Sequence, residues 1–360
     1  MRIENKQALE LFNLPFQELA GLASSFKEKL HGKNVYWVCN RQINYTNVCC
    51  LRCSFCAFSK IKKDSLAAYN MSLDEILAKA REAVGLGACE LHIVGGLHPD
   101  NPFSYYTDML KTLRKEFSAV NLKCFTAVEI CHFAKQENRS IESILSELKE
   151  AGLSMMPGGG AEILVPEIRQ KICGEKESGE EWLQVHRTAH KLGIPTNATM
   201  LFGHVESVEH RIEHLAMLRD LQNETGGFQA FLPLVFLPQN NVLGRQVKNK
   251  ASEEDILRTI AVSRLFLDNF PHIKAYWVQL GIETALKALH CGASDLDGTV
   301  MEERISHSAG ADSPSEVSAE RLRELIKGQE LIPVERLQKK ELKASSIFSI
   351  EPAISFPSEK

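Results

Sequence analysis

Short apolar runs rich in β-formers alternate with longer amphipathic segments along nearly all of this chain. The runs that read as strands are 35–43, 90–94, 122–128, 153–156, 195–201, 228–235, 272–280 and 295–300. The segments between them carry helical spacing, as in the stripe Ile76, Leu77, Ala80 and Val84. Three of them open on a hydroxyl with a carboxylate three residues on: Ser72 with Glu75, Ser178 with Glu181, and Ser252 with Asp255. That pairing satisfies the free N–H groups of a helix start. Repeated strand–helix alternation requires parallel strands joined by crossover helices. Eight units without an intervening linker predict an α/β fold of the (β/α)8 TIM type, whose core takes roughly 250 residues. The surplus of the 360 residues falls at the two ends. The expected organisation is an N-terminal helical extension over 1–34, a barrel over 35–310 and a C-terminal helical extension over 311–360. The residues after Ala344 read as loosely ordered. In such a barrel the chemistry sits where the strands end.

Composition narrows the function classes. At 44% hydrophobic and 24% charged residues the chain can bury a large core. A net charge of −4 gives no basic footprint, so a nucleic-acid partner is not expected. The N-terminus places charges ahead of any apolar run, and no apolar stretch reaches bilayer length, so a cytoplasmic location without a membrane span is expected. Ten cysteines are too few for a disulfide scaffold of this size. Four of them, Cys49, Cys50, Cys53 and Cys56, crowd into eight residues directly after the first strand run. The pattern is C-x3-C-x2-C through Cys49, or C-x2-C-x2-C through Cys50. A ferredoxin motif needs a fourth cysteine where Lys60 stands, and a structural zinc site needs four ligands. Three thiolates without a fourth point to a [4Fe–4S] cluster with one iron left open to a ligand.

C-x3-C-x-Phe-C at the end of a first barrel strand resembles the signature of the radical S-adenosylmethionine (SAM) superfamily. The resemblance implies that Cys49, Cys53 and Cys56 hold a [4Fe–4S] cluster, that SAM chelates the open iron, and that Cys50 is a bystander. Phe55 would pack near the adenine and the Phe58 backbone would bond it. Longer strings are similar to the menaquinone (futalosine) pathway group: INYTNVC, HIVGGLHPD, FTAVEI, PGGGAEIL, ETGGFQAFLPL and HIKAYW with LDGTVMEERISHSAGAD. The last two resemble the aminofutalosine synthase branch. One departure is Gln42, where that branch has His. The resemblance implies addition of the 5′-deoxyadenosyl radical of SAM to an aromatic enol ether, 3-[(1-carboxyvinyl)oxy]benzoate. SAM would be consumed as a co-substrate. The products would be 6-amino-6-deoxyfutalosine, methionine and CO2 or bicarbonate. A flavodoxin- or ferredoxin-type protein would supply the electron. The competing readings are a dehypoxanthine futalosine cyclase, a deazaflavin synthase and a non-catalytic iron–sulfur electron carrier.

Other candidates sit just after the apolar runs. Gly95 and Gly96 let a backbone approach a ligand closely, and the resemblance assigns them to the methionine part of SAM. Glu162, after Gly158, Gly159 and Gly160, would bond the ribose or amino group of SAM. Glu206 partly fits a fifth-strand adenine motif, against the plainer role of an acid at a helix start. His98 and Glu129 are candidates for contact with substrate or SAM. Arg169, and secondarily Arg41, are candidates for the substrate carboxylates, because guanidinium binds carboxylate in a fork. His186 and His190 are spaced as helix neighbours, but no H-E-x-x-H pattern accompanies them, which favours outer-helix packing. Of Tyr276 and Trp277, adjacent in a strand run, one should face the cavity.

Overall fold

The computed structural model describes residues 2–60, 66–247 and 250–336. Helices α1 (Asn5–Leu11) and α2 (Phe16–His31) precede the barrel. The strands are β1 (Asn34–Val38), β2 (Asn40–Ile43), β3 (Glu90–Ile93), β4 (Asn121–Cys124), β5 (Thr196–Phe202), β6 (Phe228–Val235), β7 (His272–Ile273), β8 (Asp295–Gly298) and β9 (Ile332–Glu335). The main crossover helices are α3 (Leu73–Gly85), α4 (Phe103–Glu116), α5 (Ala127–Glu137), α6 (Ile141–Ala151), α7 (Pro166–Cys173), α8 (Gly179–Lys191), α9 (Val208–Thr225) and α10 (Glu253–Phe266). Short helices α11 (Trp277–Leu280), α12 (Ile282–Ala288) and α13 (Ile305–Ser308) follow, then α14 (Ala319–Lys327).

All strand pairings among the barrel elements are parallel. β2 pairs with β3, β3 with β4, β5 with β6, β6 with β7, and β8 with β1. Isolated parallel bridges close the remaining gaps: Lys123 with Met155, Met156 with Thr196, and Lys274 with Asp295. The circuit is therefore an eight-position barrel, as the alternation predicts. The fourth position is reduced to two bridges because Gly152 ends α6 at φ 123° and Pro157 follows at once. Proline has no N–H to extend a ladder.

Several expected strands are shorter than their apolar runs, and three of them differ in kind. The first run breaks at Cys39 into β1 and β2. The run 122–128 ends at Cys124, because Thr126 caps α5 and accepts the Glu129 amide at 3.4 Å. The run 272–280 is strand for two residues and then turns helical at Trp277. A short apolar run does not distinguish a buried strand from a buried helix start. The C-terminal extension is not wholly helical either. β9 pairs with β1 from Asn34 to Trp37, on the edge that lies below the start of β3. An open strand edge is thereby covered. The expectation for the residues after Ala344 lies outside the described residues.

The barrel interior is not purely apolar. Register places Gln42 beside His92 and His92 beside Lys123, one level across β2, β3 and β4. Two buried ion pairs stand within this interior: Lys123 with Glu90, and Lys274 with Asp297 at 2.5 Å. Removing one member of a buried pair strands a charge away from water, at about 3–5 kcal/mol. Lys274→Met should therefore lose about that much unfolding free energy in urea titration, and adding Asp297→Asn should recover most of it. No recovery in the double variant would mean that Lys274 acts through packing instead.

Candidate active site at the barrel mouth

The loop that follows β2 is fastened from three directions. The Cys49 amide donates to the Lys60 carbonyl at 3.0 Å, the Cys50 amide to Leu97 at 3.0 Å, and the Ser54 amide to Ile172 at 2.9 Å. Asn47 adds two bonds, donating to the Ala67 carbonyl and accepting the Tyr69 amide, at 2.7 and 2.8 Å. Gly96 permits the seating. A Cβ there would lie 2.3 Å from the Val48 carbonyl oxygen.

Under this loop lies a cavity of about 320 Å³. Cys49, Cys53 and Cys56 line it, while Cys50 is exposed and outside it. Phe55, Phe58, Gly95, Gly96, Glu129 and Glu162 line it as well. Burial pushes the Cys53 thiol up to about 12 and raises Cys49 too. Both thiols are protonated in the free protein, and coordination to a metal would ionise them.

The glycine turn after the fourth barrel position is rigidly supported. Arg169 donates to the carbonyls of Gly160, Ala161 and Glu177 and to the Glu177 carboxylate, at 2.7–3.1 Å. A Cβ at Gly158 would meet the Ala198 backbone at 2.6 Å. Glu162 faces the cavity and accepts from Lys176 at 2.5 Å, and Lys176 lies over the Phe55 ring. Glu129 accepts from Tyr45 Oη at 2.6 Å, from the Thr126 amide and hydroxyl, and from the Gly95 amide at 3.3 Å. Burial pushes its carboxyl up to about 7, although these four donors pull the other way.

The loop after β8 closes one side of the mouth. Asp297, near the end of β8, and Val300, Met301 and Glu302 in the loop all have positive φ, at 69°, 68°, 26° and 65°. For a β-branched valine this is a strained conformation. Glu302 holds the loop through Arg41 at 2.6 Å, Lys79 at 2.5 Å and Arg304. Burial would raise that carboxyl, but these cations hold it down at about 2. Glu303 in turn accepts the Ile305 and Ser306 amides and presents Ser306 at the cavity wall.

The Radical SAM superfamily model matches residues 43–218, and the CofH/MqnC C-terminal region model matches 225–347. Aminodeoxyfutalosine synthase of Thermus thermophilus is 46% identical over 320 residues, spanning 88% of this chain and 86% of that protein. The chain belongs to the radical SAM superfamily. A 5-amino-6-(D-ribitylamino)uracil–L-tyrosine 4-hydroxyphenyl transferase of Archaeoglobus fulgidus is also similar, 42% identical across 91% of this chain and 94% of its own. Among solved structures, methylornithine synthase superposes with a TM-score of 0.71 at 16% identity, covering 93% of this chain and 95% of that one. That likeness concerns the fold.

Membership makes the chain an enzyme that uses a [4Fe–4S] cluster and SAM. The donor set fits the group. Three thiols on one loop line the cavity while Cys50 lies outside it, a donor set that suits a cubane, where each thiolate takes its own iron and one iron is left open. Among the described residues, no helix is long and apolar enough to cross a membrane.

Four expected site residues lie elsewhere. Arg169 does not line the cavity, because its bonds are spent on the Gly160 and Ala161 carbonyls and on Glu177. Arg41 is committed to Glu82 and Glu302. Glu206 folds back onto the Gly203 and His204 amides at 2.6 and 2.8 Å and onto Arg211, so it ties down the loop between β5 and α9 rather than the first amides of α9. His98 is buried off the cavity, and its Nδ1 accepts the Asp100 amide at 3.2 Å. His186 and His190 both bond Thr196 Oγ1 in outer packing. Tyr276 faces the cavity and accepts from Gln42 at 2.9 Å, whereas Trp277 is core and donates to the Gly298 carbonyl.

Sequence reasoning assigned no site role to His92, Lys123, Asn197, Thr199 and Asp297 and named Gln42 only as a departure from the branch, yet all six are on the cavity wall. Part of their signal was available: each is a polar residue inside an apolar strand run, though which of the two faces of the barrel wall it takes depends on register between strands.

Two outcomes follow. Gly96→Ala forces the loop off its seat, so the reconstituted variant should lose most of its iron by colorimetric assay while keeping its far-UV circular dichroism. Glu129 has a folded value of about 7 against an ordinary 4.5, so the native state holds a proton that the unfolded chain releases. That stabilisation is complete below about pH 4.5 and is lost as pH rises through about 7. The wild-type urea midpoint should fall across this window relative to Glu129→Gln. Parallel curves would show that this carboxyl does not titrate there.

Proposed function

We propose that this enzyme is an aminodeoxyfutalosine (aminofutalosine) synthase. Overall, the 5′ carbon of SAM becomes bonded to the vinyl carbon of 3-[(1-carboxyvinyl)oxy]benzoate, and one carboxyl carbon leaves as CO2 or bicarbonate. The observation that carries this reading is where the distinguishing sequence falls. The stretch resembling the synthase branch contributes Tyr276, Asp297, Glu303, Ser306 and Ala309 to the cavity wall. The 46% identity to the Thermus thermophilus synthase supports it.

In this reading Cys49, Cys53 and Cys56 ligate the cluster. When bound, the cluster supplies the electron that cleaves SAM to methionine and a 5′-deoxyadenosyl radical, and a flavodoxin- or ferredoxin-type donor renews that electron. Gly95 and Gly96 offer backbone groups to the methionine part of SAM, and Glu162 with Lys176 offers a carboxylate and an ammonium to its polar groups. Phe55 and Phe58 give the adenine apolar surface. Glu129 works by position, because its four hydrogen bonds tie the Gly95 turn to the start of α5. The mostly apolar wall, with Leu97, Val128, Leu232 and Leu234, excludes water from the radical.

Anaerobic incubation of the reduced, reconstituted enzyme with SAM and the enol ether should give an adenine-containing adduct by mass spectrometry. Hydroxyphenyl transfer from tyrosine to 5-amino-6-(D-ribitylamino)uracil, with the enol ether untouched, would replace this reading with the activity named for the Archaeoglobus relative. Cys49→Ser should abolish the iron–sulfur absorbance and Cys50→Ser should preserve it. The reverse result would move the ligand set to the other spacing.

A further inference from the structure

A dianionic substrate in a mostly apolar cavity needs a cation, since an unpaired charge out of water is costly. Among the described residues, Lys123 and Lys176 are the two lysine or arginine side chains that line the cavity. Lys176 stands with Glu162 and over Phe55, against the cysteine loop. Any ligand of the cluster must occupy that end. Lys123 lies within β4, a level below the loops, and its side chain is 3% exposed.

Lys123 is incompletely used by the fold. Its ammonium carries three donors, and among the described residues Glu90 is its one acceptor. Beside it in register is His92, which lines the cavity and has no hydrogen-bond partner among the described residues. Burial, with Lys123 adding, lowers that imidazole to about 3, so it is neutral and offers one N–H. On its other side stands Gln42, whose amide donates to Tyr276. Lys123, with two donors beyond its bond to Glu90, and His92, with one N–H, thus line the cavity at one level of the wall.

We propose that Lys123 and His92 form the seat for the ring carboxylate of the aromatic substrate and so determine its specificity. This rests on the synthase reading above and deepens it. Seating the benzoate end at this level leaves the enol ether pointing towards the mouth, where the cysteines lie. It also accounts for Arg169 and Arg41 being committed to the scaffold.

The test is binding to the reconstituted holoenzyme with SAM present, by isothermal titration. The probes are 3-hydroxybenzoate and phenol, which share a ring and differ in the carboxylate. The wild type should prefer 3-hydroxybenzoate by about 10–100-fold, the range for hydrogen bonds to a charged group. Lys123→Met alone strands Glu90, so the informative pair is Glu90→Gln and the double variant Glu90→Gln with Lys123→Met. Glu90→Gln should keep the preference, and the double variant should lose it. His92→Phe should reduce it. Loss in both Glu90→Gln and the double variant, or in neither, would overturn the assignment, as would a wild type without preference. Adduct formation, assayed in parallel, separates the two ideas. Adduct without carboxylate preference removes this seat and leaves the synthase reading. Preference without adduct removes the reading and leaves an aryl-carboxylate site.

Discussion

The mouth of this barrel depends on one close approach, that of the cysteine loop to the turn after β3. Gly96 meets the backbone at Val48 where a Cβ has no room, its amide donates to the Thr46 carbonyl at 2.9 Å, and the Cys50 amide reaches Leu97. This contact sets the height of Cys49 over the cavity and turns Cys50 outward. The remaining supports follow from it. Ile172 at the end of α7 receives Ser54, the Gly158–Gly160 turn lines the same cavity, and Arg169 braces the end of that turn through the Gly160 and Ala161 carbonyls. Residues that look like ligand binders by type therefore serve as struts.

Charge inside the barrel is the second organising constraint. Lys123 with Glu90 and Lys274 with Asp297 stand where an ordinary barrel stacks branched aliphatic residues. Such pairs are weak contributors to stability, because desolvation offsets most of their attraction. Their value lies in position. Held by parallel ladders, they present polar groups at a fixed depth below the cluster loop, in a wall that is otherwise apolar. The strain at Val300 and its neighbours belongs to the same logic. Glu302, gripped by Arg41, Lys79 and Arg304, holds the β8 loop in a conformation that its own residues disfavour, and Glu303 and Ser306 are set at the wall as a result.

Much of this was legible in the chain. Strand–helix alternation implied the barrel, and the cysteine spacing implied an open-iron cluster, because both patterns are local and periodic. Glu129 was legible as a polar residue near a strand end, but its capping box was not recognised, so the strand was drawn through the helix start. Arg169 and Glu206 were misjudged for a common reason. A residue's type says what it can bond, and the fold decides which partner is nearest. Arg169 found three carbonyls and a carboxylate, and Glu206 found two amides of the loop between β5 and α9.

By itself, the sequence determined the parallel barrel, the three-thiol motif and the end of the strands where the chemistry sits. Each is written in spacing along the chain. Only the tertiary structure decided that β9 would cover the lower edge of β1 and that Lys123, His92 and Gln42 would share one level. It also decided that no arginine among the described residues would line the cavity. These outcomes depend on register and closure between segments tens to hundreds of residues apart. A side chain on a strand faces in or out according to its neighbours' alignment, which local periodicity does not encode.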